Sequence, residues 1–408
     1  MRSRLLNGPD TPSRVAAALV FCLCLAALRG PVLGQSQAGN GLPSDRLARI
    51  GQMIDRRIAA GEVPGTVTLV AQNGRIVHFE ARGVMDIETK RPVAKDTIFS
   101  LASLTKPVTT AAILMLVEEG KVRLADPISK FIPAYADVKV AVTPARTVAV
   151  SRPVTIRDLL THTSGFVSPA QIPTEPNATL AEFIPRFAAE ALEFQPGTQW
   201  TYSNTVAFDT LARIVEITSG QTYDRFLRER IFEPLGMHDT AHVLSAAQKQ
   251  RLATRYDVTS NGLRKAIRPE TPRYFGGGWG LNSTAEDYYR FAQMLLSKGE
   301  AGGKRLLSPR AVELMEAVNI PDILPGRTPG TSWGLGVRVI SDNAKAGVFL
   351  SNGSFGWSGA TGTHFWVDPA ENLVAVLMAA APAANLRPDF ETAVMQSLPI
   401  RSAASQTQ

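Results

Sequence analysis

The sequence predicts an α/β (α+β) fold in which the two ends of the chain build one sheet flanked by helices and a mostly helical lobe is inserted between the ends. Three observations predict it. β-rich runs cluster near residues 66–81 and again after residue 330. The stretch between them carries mostly helical spacing. No segment repeats with a period of 20 to 50 residues, which excludes solenoids and propellers. With 45% hydrophobic and 19% charged residues, the 408-residue chain can fill a sizeable core and is too weakly charged to be largely disordered. The layout places one domain over residues 43–400, with a sheet lobe from about 43–100 and 300–400 and a helical lobe from about 101–299. The cleft between the lobes is the natural place for a site.

Taken in order, the chain begins with Arg2, Arg4 and Arg14 ahead of an apolar run, Val15 to Leu28, and then Val32-Leu33-Gly34. This reads as a signal peptide over residues 1–34 and places the protein in the periplasm or outside the cell; an uncleaved anchor is the alternative, although the run falls short of the roughly 20 residues that a span needs. The segment holds four arginines, one aspartate and both cysteines, Cys22 and Cys24. Without it the net charge falls from +7 to +4 and no thiol remains, so no disulfide framework or cysteine-built zinc site is available. The remaining cations are scattered, which argues against a nucleic-acid partner. No stable membrane span is expected after processing.

Ser44 to Ala60 carries Leu47, Ile50, Ile54 and Ile58 at helical spacing after a Ser44 cap. Thr66 to Ala81 is a hairpin around Asn73-Gly74, the pair that a type I′ turn prefers. Val108 to Val117 is apolar nearly all round and is followed by Gly120, which marks a buried central helix. Helical spacing recurs at Ile156 to Leu160, Phe208 to Ile217, Tyr223 to Phe232 and Ala285 to Leu296. Strand signals return at Gly334 to Ile340, Thr361 to Val367 and Leu373 to Met378, before a last helix over Asp389 to Leu398.

Three short segments carry chemistry. Ser103-Leu104-Thr105-Lys106 opens the central helix, where positions three apart share a face. A neutral amine there can take the hydroxyl proton, and unpaired N–H groups at a helix start can hold an oxyanion. The same residues also fit a plain cap beside a surface lysine. Tyr202-Ser203-Asn204 offers a phenol able to exchange protons and a carboxamide able to hold the lysine or a substrate carbonyl, or else a cap over a packed tyrosine. Gly356-Trp357-Ser358-Gly359-Ala360, leading into Thr361 to Val367, lets a ligand approach the backbone and offers the Ala360 N–H as an oxyanion donor; a glycine-rich turn is the alternative.

Gly330-Thr331-Ser332-Trp333-Gly334 also matches a nucleophile elbow followed by Asp342 and His364, but it precedes a strand where an elbow needs a helix. His238 and His242 are four apart yet follow Pro234-Leu235-Gly236, where a helix ends, so they read as loop or core residues. His162 reads as structural, and Gly276 to Gly280 lacks the lysine of a phosphate loop and reads as a flexible or close-packed loop. No metal site and no cofactor are implied.

Together, Ser103-x-x-Lys106, Tyr202-x-Asn204 and the glycine-rich segment at Trp357 resemble the serine β-lactamase and penicillin-binding protein superfamily. The likeness is to the class C β-lactamase-related branch with its family VIII carboxylesterases, and it runs from about Leu47 to Val394. Thr155 to Gly165, Pro196-Gly197 and Glu233 to Met237 support it. The resemblance implies a β-lactamase/transpeptidase-like fold, an antiparallel sheet from both chain ends flanked by helices with an inserted all-helical lobe, and a small ester, amide or cell-wall peptide as substrate. It implies Ser103 as the acylated nucleophile, Lys106 as its proton acceptor and Tyr202 as the residue that helps activate water. Asn204 would bind the substrate or Lys106, and the N–H groups of Ser103 and Ala360 would form the oxyanion hole. One departure stands out: where many β-lactamases have Lys-Thr-Gly, this chain has Trp357-Ser358-Gly359, as some family VIII esterases have Trp-Gly-Gly. The resemblance therefore points to a secreted carboxylesterase with weak or no β-lactamase activity. A peptidase, an amide hydrolase, a true β-lactamase and a non-catalytic cell-wall recognition module are the alternatives.

Overall fold

The structure, a computed structural model, describes residues 44–166, 175, 177–267 and 272–398; the expected signal segment lies outside them. Helix α1 (Ser44–Ala59) leads into strands β1 (Gly65–Gln72) and β2 (Arg75–Gly83). Asn73 and Gly74 both have positive φ, 52° and 72°, the backbone that a type I′ turn demands. The central helix is α2 (Thr105–Glu118), followed later by α3 (Val206–Ser219) and α4 (Ala285–Leu296). The C-terminal part adds β3 (Thr331–Trp333), β4 (Arg338–Ile340), β5 (Phe355–Ser358), β6 (His364–Asp368), β7 (Leu373–Ala379) and helix α5 (Leu386–Met395).

Seven strands form one antiparallel sheet in the order β3-β4-β5-β6-β7-β1-β2. The two chain ends meet where β1 pairs with β7, from Thr66 opposite Ala379 to Gln72 opposite Leu373. Strand β7 is buried on both sides, and its side chains divide by the two-residue period. Val374, Val376 and Met378 join the core shared with α2, α3 and α4, while Leu373, Ala375, Leu377 and Ala379 join a second core with α1 and α5. A continuous apolar run is what such a two-sided strand requires. Helix α2 is buried from Thr105 to Leu116 and packs on α3. Among the described residues no helix is long and apolar enough to cross a membrane.

Some elements differ from their sequence reading. The run from Gly334 to Ile340 is the end of a hairpin: the Gly334 N–H bonds the Val337 C=O at 2.8 Å and Gly336 has φ 68°, so the chain turns there. The strand expected from Thr361 starts at His364, because 359–362 is a turn closed by Gly362 N–H to Gly359 C=O, 3.0 Å. The helix expected over Tyr223 to Phe232 loosens into a wide turn at Arg228–Phe232, just before Pro234, which has no N–H to continue the ladder. The inserted lobe also carries two small hairpins, Lys139–Thr143 with Arg146–Ala149 and Tyr256–Thr259 with Gly262–Lys265. They are largely exposed, so no buried face stamps a period on their sequence.

Candidate active site

Ser103 sits in a tight turn, Ala102–Leu104, immediately before α2, one step earlier than a place within the helix itself. Ala102 takes φ 48°, a left-handed conformation that costs a non-glycine residue roughly 1 kcal/mol and more. Ser103 is partly exposed, whereas Lys106 is wholly buried. The Lys106 Nζ lies 3.2 Å from Ser103 Oγ and donates to the C=O groups of Asn204, 2.7 Å, and Gly278, 2.9 Å. Three acceptors thus surround an amine that burial would otherwise penalise heavily. It is the backbone of Asn204, not its carboxamide, that holds the lysine.

Tyr202 lies in the extended segment ahead of α3. The Ser203 N–H donates to His162 Nδ1 at 3.0 Å, which fixes this segment to a buried imidazole whose ring lies 4.5 Å from that of Tyr202 and 4.7 Å from that of Trp333. Burial, helped by the charge of Lys106, pushes the His162 pKa well below the ordinary value, so the ring stays neutral and its Nδ1 can accept. The Tyr202 ring centroid is 4.9 Å from Lys106 Nζ, and its hydroxyl accepts from the Trp357 indole N–H at 3.1 Å.

Trp357 and Ser358 end β5, and Gly359 and Ala360 form the turn that follows, correcting the expectation that the whole segment leads directly into one strand. The turn is fastened to the residues just before Ser103. Thr361 Oγ1 donates to the Ser100 C=O at 2.7 Å and Thr363 Oγ1 to the Leu101 C=O at 3.0 Å. A Cβ on Gly359 would meet the Leu101 oxygen at 2.2 Å, so only glycine allows this approach. Ala360 is exposed at the tip. Ser358 departs from a simple substrate-facing role, since its hydroxyl lies 2.9 Å from His364 Nδ1.

One support escaped the sequence reading. Asp209, buried in α3, accepts from the Gly278 N–H at 2.8 Å, Tyr274 OH at 2.7 Å and Trp279 Nε1 at 3.3 Å, and burial raises its carboxyl pKa. It thereby fixes the glycine-rich loop whose Gly278 C=O holds Lys106. An aspartate between Phe208 and Leu211 on an otherwise apolar helix face was the available signal. The loop itself is close-packed: a Cβ on Gly277 would stand 2.3 Å from the Phe208 C=O.

The competing residues do not assemble. Ser332 is buried in β3 and donates to the Ile320 C=O at 3.3 Å, Asp342 caps the short helix Asn343–Ala346, and His364 faces Ser358 and Glu391. His242 lies against Phe275 and Tyr223 with Nε2 3.1 Å from the Gly276 C=O, and burial pushes its pKa down to about 4. Among the described residues no group of three His, Cys, Asp or Glu side chains could hold a metal ion.

The family model described as Beta-lactamase matches residues 50–395. Esterase EstB of Burkholderia gladioli is 30% identical over 370 residues, covering 81% of this chain and 89% of the relative. Penicillin-binding protein 4 of Amycolatopsis lactamdurans is 30% identical over 320 residues, covering 78% of this chain and 80% of the relative. Among solved structures, EstCE1, a hydrolase with promiscuous acyltransferase activity, superposes with a TM-score of 0.76 at 25% identity, covering 86% of this chain and 99% of its own.

Proposed function

The chain belongs to the beta-lactamase family, and from that premise we propose that it is a serine hydrolase acting through an acyl-enzyme on Ser103, a carboxylesterase with weak or no β-lactamase activity. The observation that carries this reading is the 3.2 Å approach of buried Lys106 to the partly exposed Ser103 hydroxyl, with Tyr202 over the amine and Trp357 on the phenol. In acylation Ser103 Oγ adds to the ester carbonyl as its proton passes to a neutral Lys106 Nζ. The N–H groups of Ser103 and Ala360 hold the oxyanion, and as it collapses the C–O bond breaks and the alcohol leaves with the proton that Lys106 took from Ser103. Water, activated by Tyr202 with Lys106, then cleaves the acyl-serine. Asn204 contributes by holding Lys106 through its backbone.

The esterase preference rests on position 357. An indole replaces the ammonium that many β-lactamases carry there, which removes a cation favouring anionic β-lactams, and an esterase stands among the relatives. The reading includes export to the periplasm or beyond, supported by the basic and apolar residues 1–28; cell fractionation with N-terminal sequencing of the purified protein tests it.

The decisive assay is hydrolysis of short p-nitrophenyl esters and of nitrocefin by wild type, Ser103→Ala and Ser332→Ala. The reading expects ester turnover lost with Ser103 and kept with Ser332→Ala; the reverse pattern overturns it. If neither substrate turns over while labelled penicillin acylates Ser103, the peptidase or recognition reading takes its place, to which the penicillin-binding relative lends weight.

A further inference from the structure

His162 does more than fill space beside Tyr202. It follows the short helix Ile156–Leu160, whose start is closed by Thr155 and Asp158. The Leu160 C=O at the end of that helix accepts the Gly336 N–H at 2.9 Å and the Trp333 indole N–H at 3.0 Å. The helix is thus fastened to the β3–β4 hairpin, and His162 stands on a fixed base. Its backbone takes φ 57°, a left-handed conformation unfavourable for a residue with a Cβ. From there one residue meets the Tyr202 segment twice. The Thr201 N–H donates to the His162 C=O at 3.1 Å, and the Ser203 N–H donates to its Nδ1 at 3.0 Å. In an extended chain the N–H groups of residues two apart point the same way, so the segment offers both to one neighbour. A carbonyl oxygen and a ring nitrogen of His162 take the place of a neighbouring strand, and Tyr202 lies between the two clamped residues.

The arrangement is kept at a cost. Because Nδ1 accepts, the proton of the neutral ring is on Nε2, and that N–H is buried with no hydrogen-bond partner. Aromatic rings enclose the imidazole: Tyr202 at 4.5 Å, Trp333 at 4.7 Å, Phe208 at 5.3 Å and Trp200 at 6.2 Å. A left-handed backbone and an unpaired buried donor both oppose folding, and an apolar side chain would avoid the second. What the histidine supplies in exchange is an acceptor at a fixed place beside Tyr202. Among the described residues the phenol itself has one hydrogen bond, from the Trp357 indole N–H. The aim of its ring over Lys106 Nζ, 4.9 Å from the centroid, therefore rests on how the backbone is held.

We propose that His162 is a positioning residue for deacylation: by clamping the N–H groups on both sides of Tyr202 it holds the phenol where, with Lys106, it takes a proton from the water that attacks the acyl-serine. The water oxygen adds to the acyl carbon, the C–O bond to Ser103 breaks, and the serine oxygen recovers a proton from the same pair as the carboxylic acid leaves. The inference rests on the acyl-enzyme reading. Acylation, in which Lys106 takes the Ser103 proton across 3.2 Å, does not pass through the phenol and is spared.

The test follows the acyl group on Ser103 by mass spectrometry during a pulse of p-nitrophenyl butyrate, in wild type, His162→Asn and His162→Ala. Asn carries an oxygen at the place of Nδ1 and tolerates a left-handed backbone, whereas Ala has no acceptor. In His162→Ala the rate constant for losing the acyl group is expected to fall about thirtyfold, while that for gaining it changes by less than about threefold. His162→Asn is expected to stay within about threefold of wild type in both steps. Equal slowing of both steps in His162→Ala, or a loss in His162→Asn as large as in His162→Ala, overturns the proposal, because a residue that only packs would act so. If His162→Ala fails to fold, His162→Asn decides, and deacylation slowed by more than about tenfold there overturns the clamp. Nitrogen-15 resonances of the wild-type ring at about pH 7 give a readout free of turnover: a bare Nδ1 beside a protonated Nε2 is expected, and a protonated Nδ1 overturns the clamp. No acyl adduct on Ser103 in any of the three proteins overturns the acyl-enzyme reading, and the purpose of the clamp with it. An adduct that clears equally fast in all three overturns the clamp alone.

Discussion

At Lys106 a single primary amine is surrounded by two backbone carbonyls and one hydroxyl, so its position is fixed on three sides. Lys106→Met keeps much of the stem volume and removes the proton carrier; kcat for p-nitrophenyl esters is expected to fall by at least about a thousandfold, with folding checked by circular dichroism. Trp357→Phe tests the indole separately. It keeps the ring contact with Tyr202 and deletes the N–H donated to the phenol, and kcat is expected to drop about tenfold with KM for short esters little changed. If KM rises instead while kcat holds, Trp357 serves binding alone. The residues proposed for these roles could be picked out in the sequence because a side chain able to move a proton is written in its residue type. The Asn204 and Gly278 carbonyls could not, since every residue has a backbone oxygen and only the path of the chain says which ones meet an amine.

At the scale of elements, α3 positions the site from beneath. Asp209 ties the Gly278 N–H, Tyr274 and Trp279 together, and the same Gly278 holds Lys106 through its carbonyl. Asp209→Ala would leave two buried donors and the half-buried Trp279 N–H without their acceptor, so a loss of about 3 kcal/mol in denaturant unfolding is expected, together with reduced kcat. Unchanged turnover in the folded variant would show that the loop holds itself. Period and turn chemistry read most elements well: Ala285 to Leu296 and Ile156 to Leu160 match their helices end to end, and Asn73-Gly74 turns the first hairpin. Besides the loosened helix before Pro234 and the exposed hairpins, the reading failed where a glycine acts through its backbone. Gly334 and Gly336 turn the chain inside an apolar run, and Gly359 brings a turn against Leu101; neither event alters the hydrophobic pattern on which the reading depends.

For the whole molecule, the buried histidines set the response to acid. His78, His162, His242 and His364 all have pKa values lowered chiefly by burial, so the unfolded chain binds more protons than the folded one between the ordinary value near 6.5 and the folded values. Their stabilising effect is present above about pH 6.5 and is lost as the pH falls. His242, at about 4 in the fold, accounts for on the order of 3 kcal/mol of that loss by itself. Asp209, Glu216 and Asp287, raised by burial, act with the opposite sign as the pH approaches their unfolded values near 4. Between pH 7 and pH 5 the midpoint of guanidinium unfolding is therefore expected to move to lower denaturant, and a constant midpoint would contradict this account. The two-ended sheet was legible at this scale because strand signals cluster at the ends of the chain, whereas the division of β7 between two cores needs the fold to be seen.

The pairing of β1 with β7 has a consequence in time. Gln72 lies beside Leu373, about 300 positions later, so the middle of the sheet cannot close until nearly the whole polypeptide has left the ribosome. Until then β1 has β2 on one side and an open row of amides and carbonyls on the other, which invites pairing with a neighbouring chain. Chains halted before Leu373 should accumulate as protease-sensitive, aggregation-prone species, and pulse proteolysis of stalled nascent chains would show protection arriving only with the last strand. A polypeptide whose first strand waits for its last stays open to a holding chaperone or a translocation channel for almost its entire synthesis.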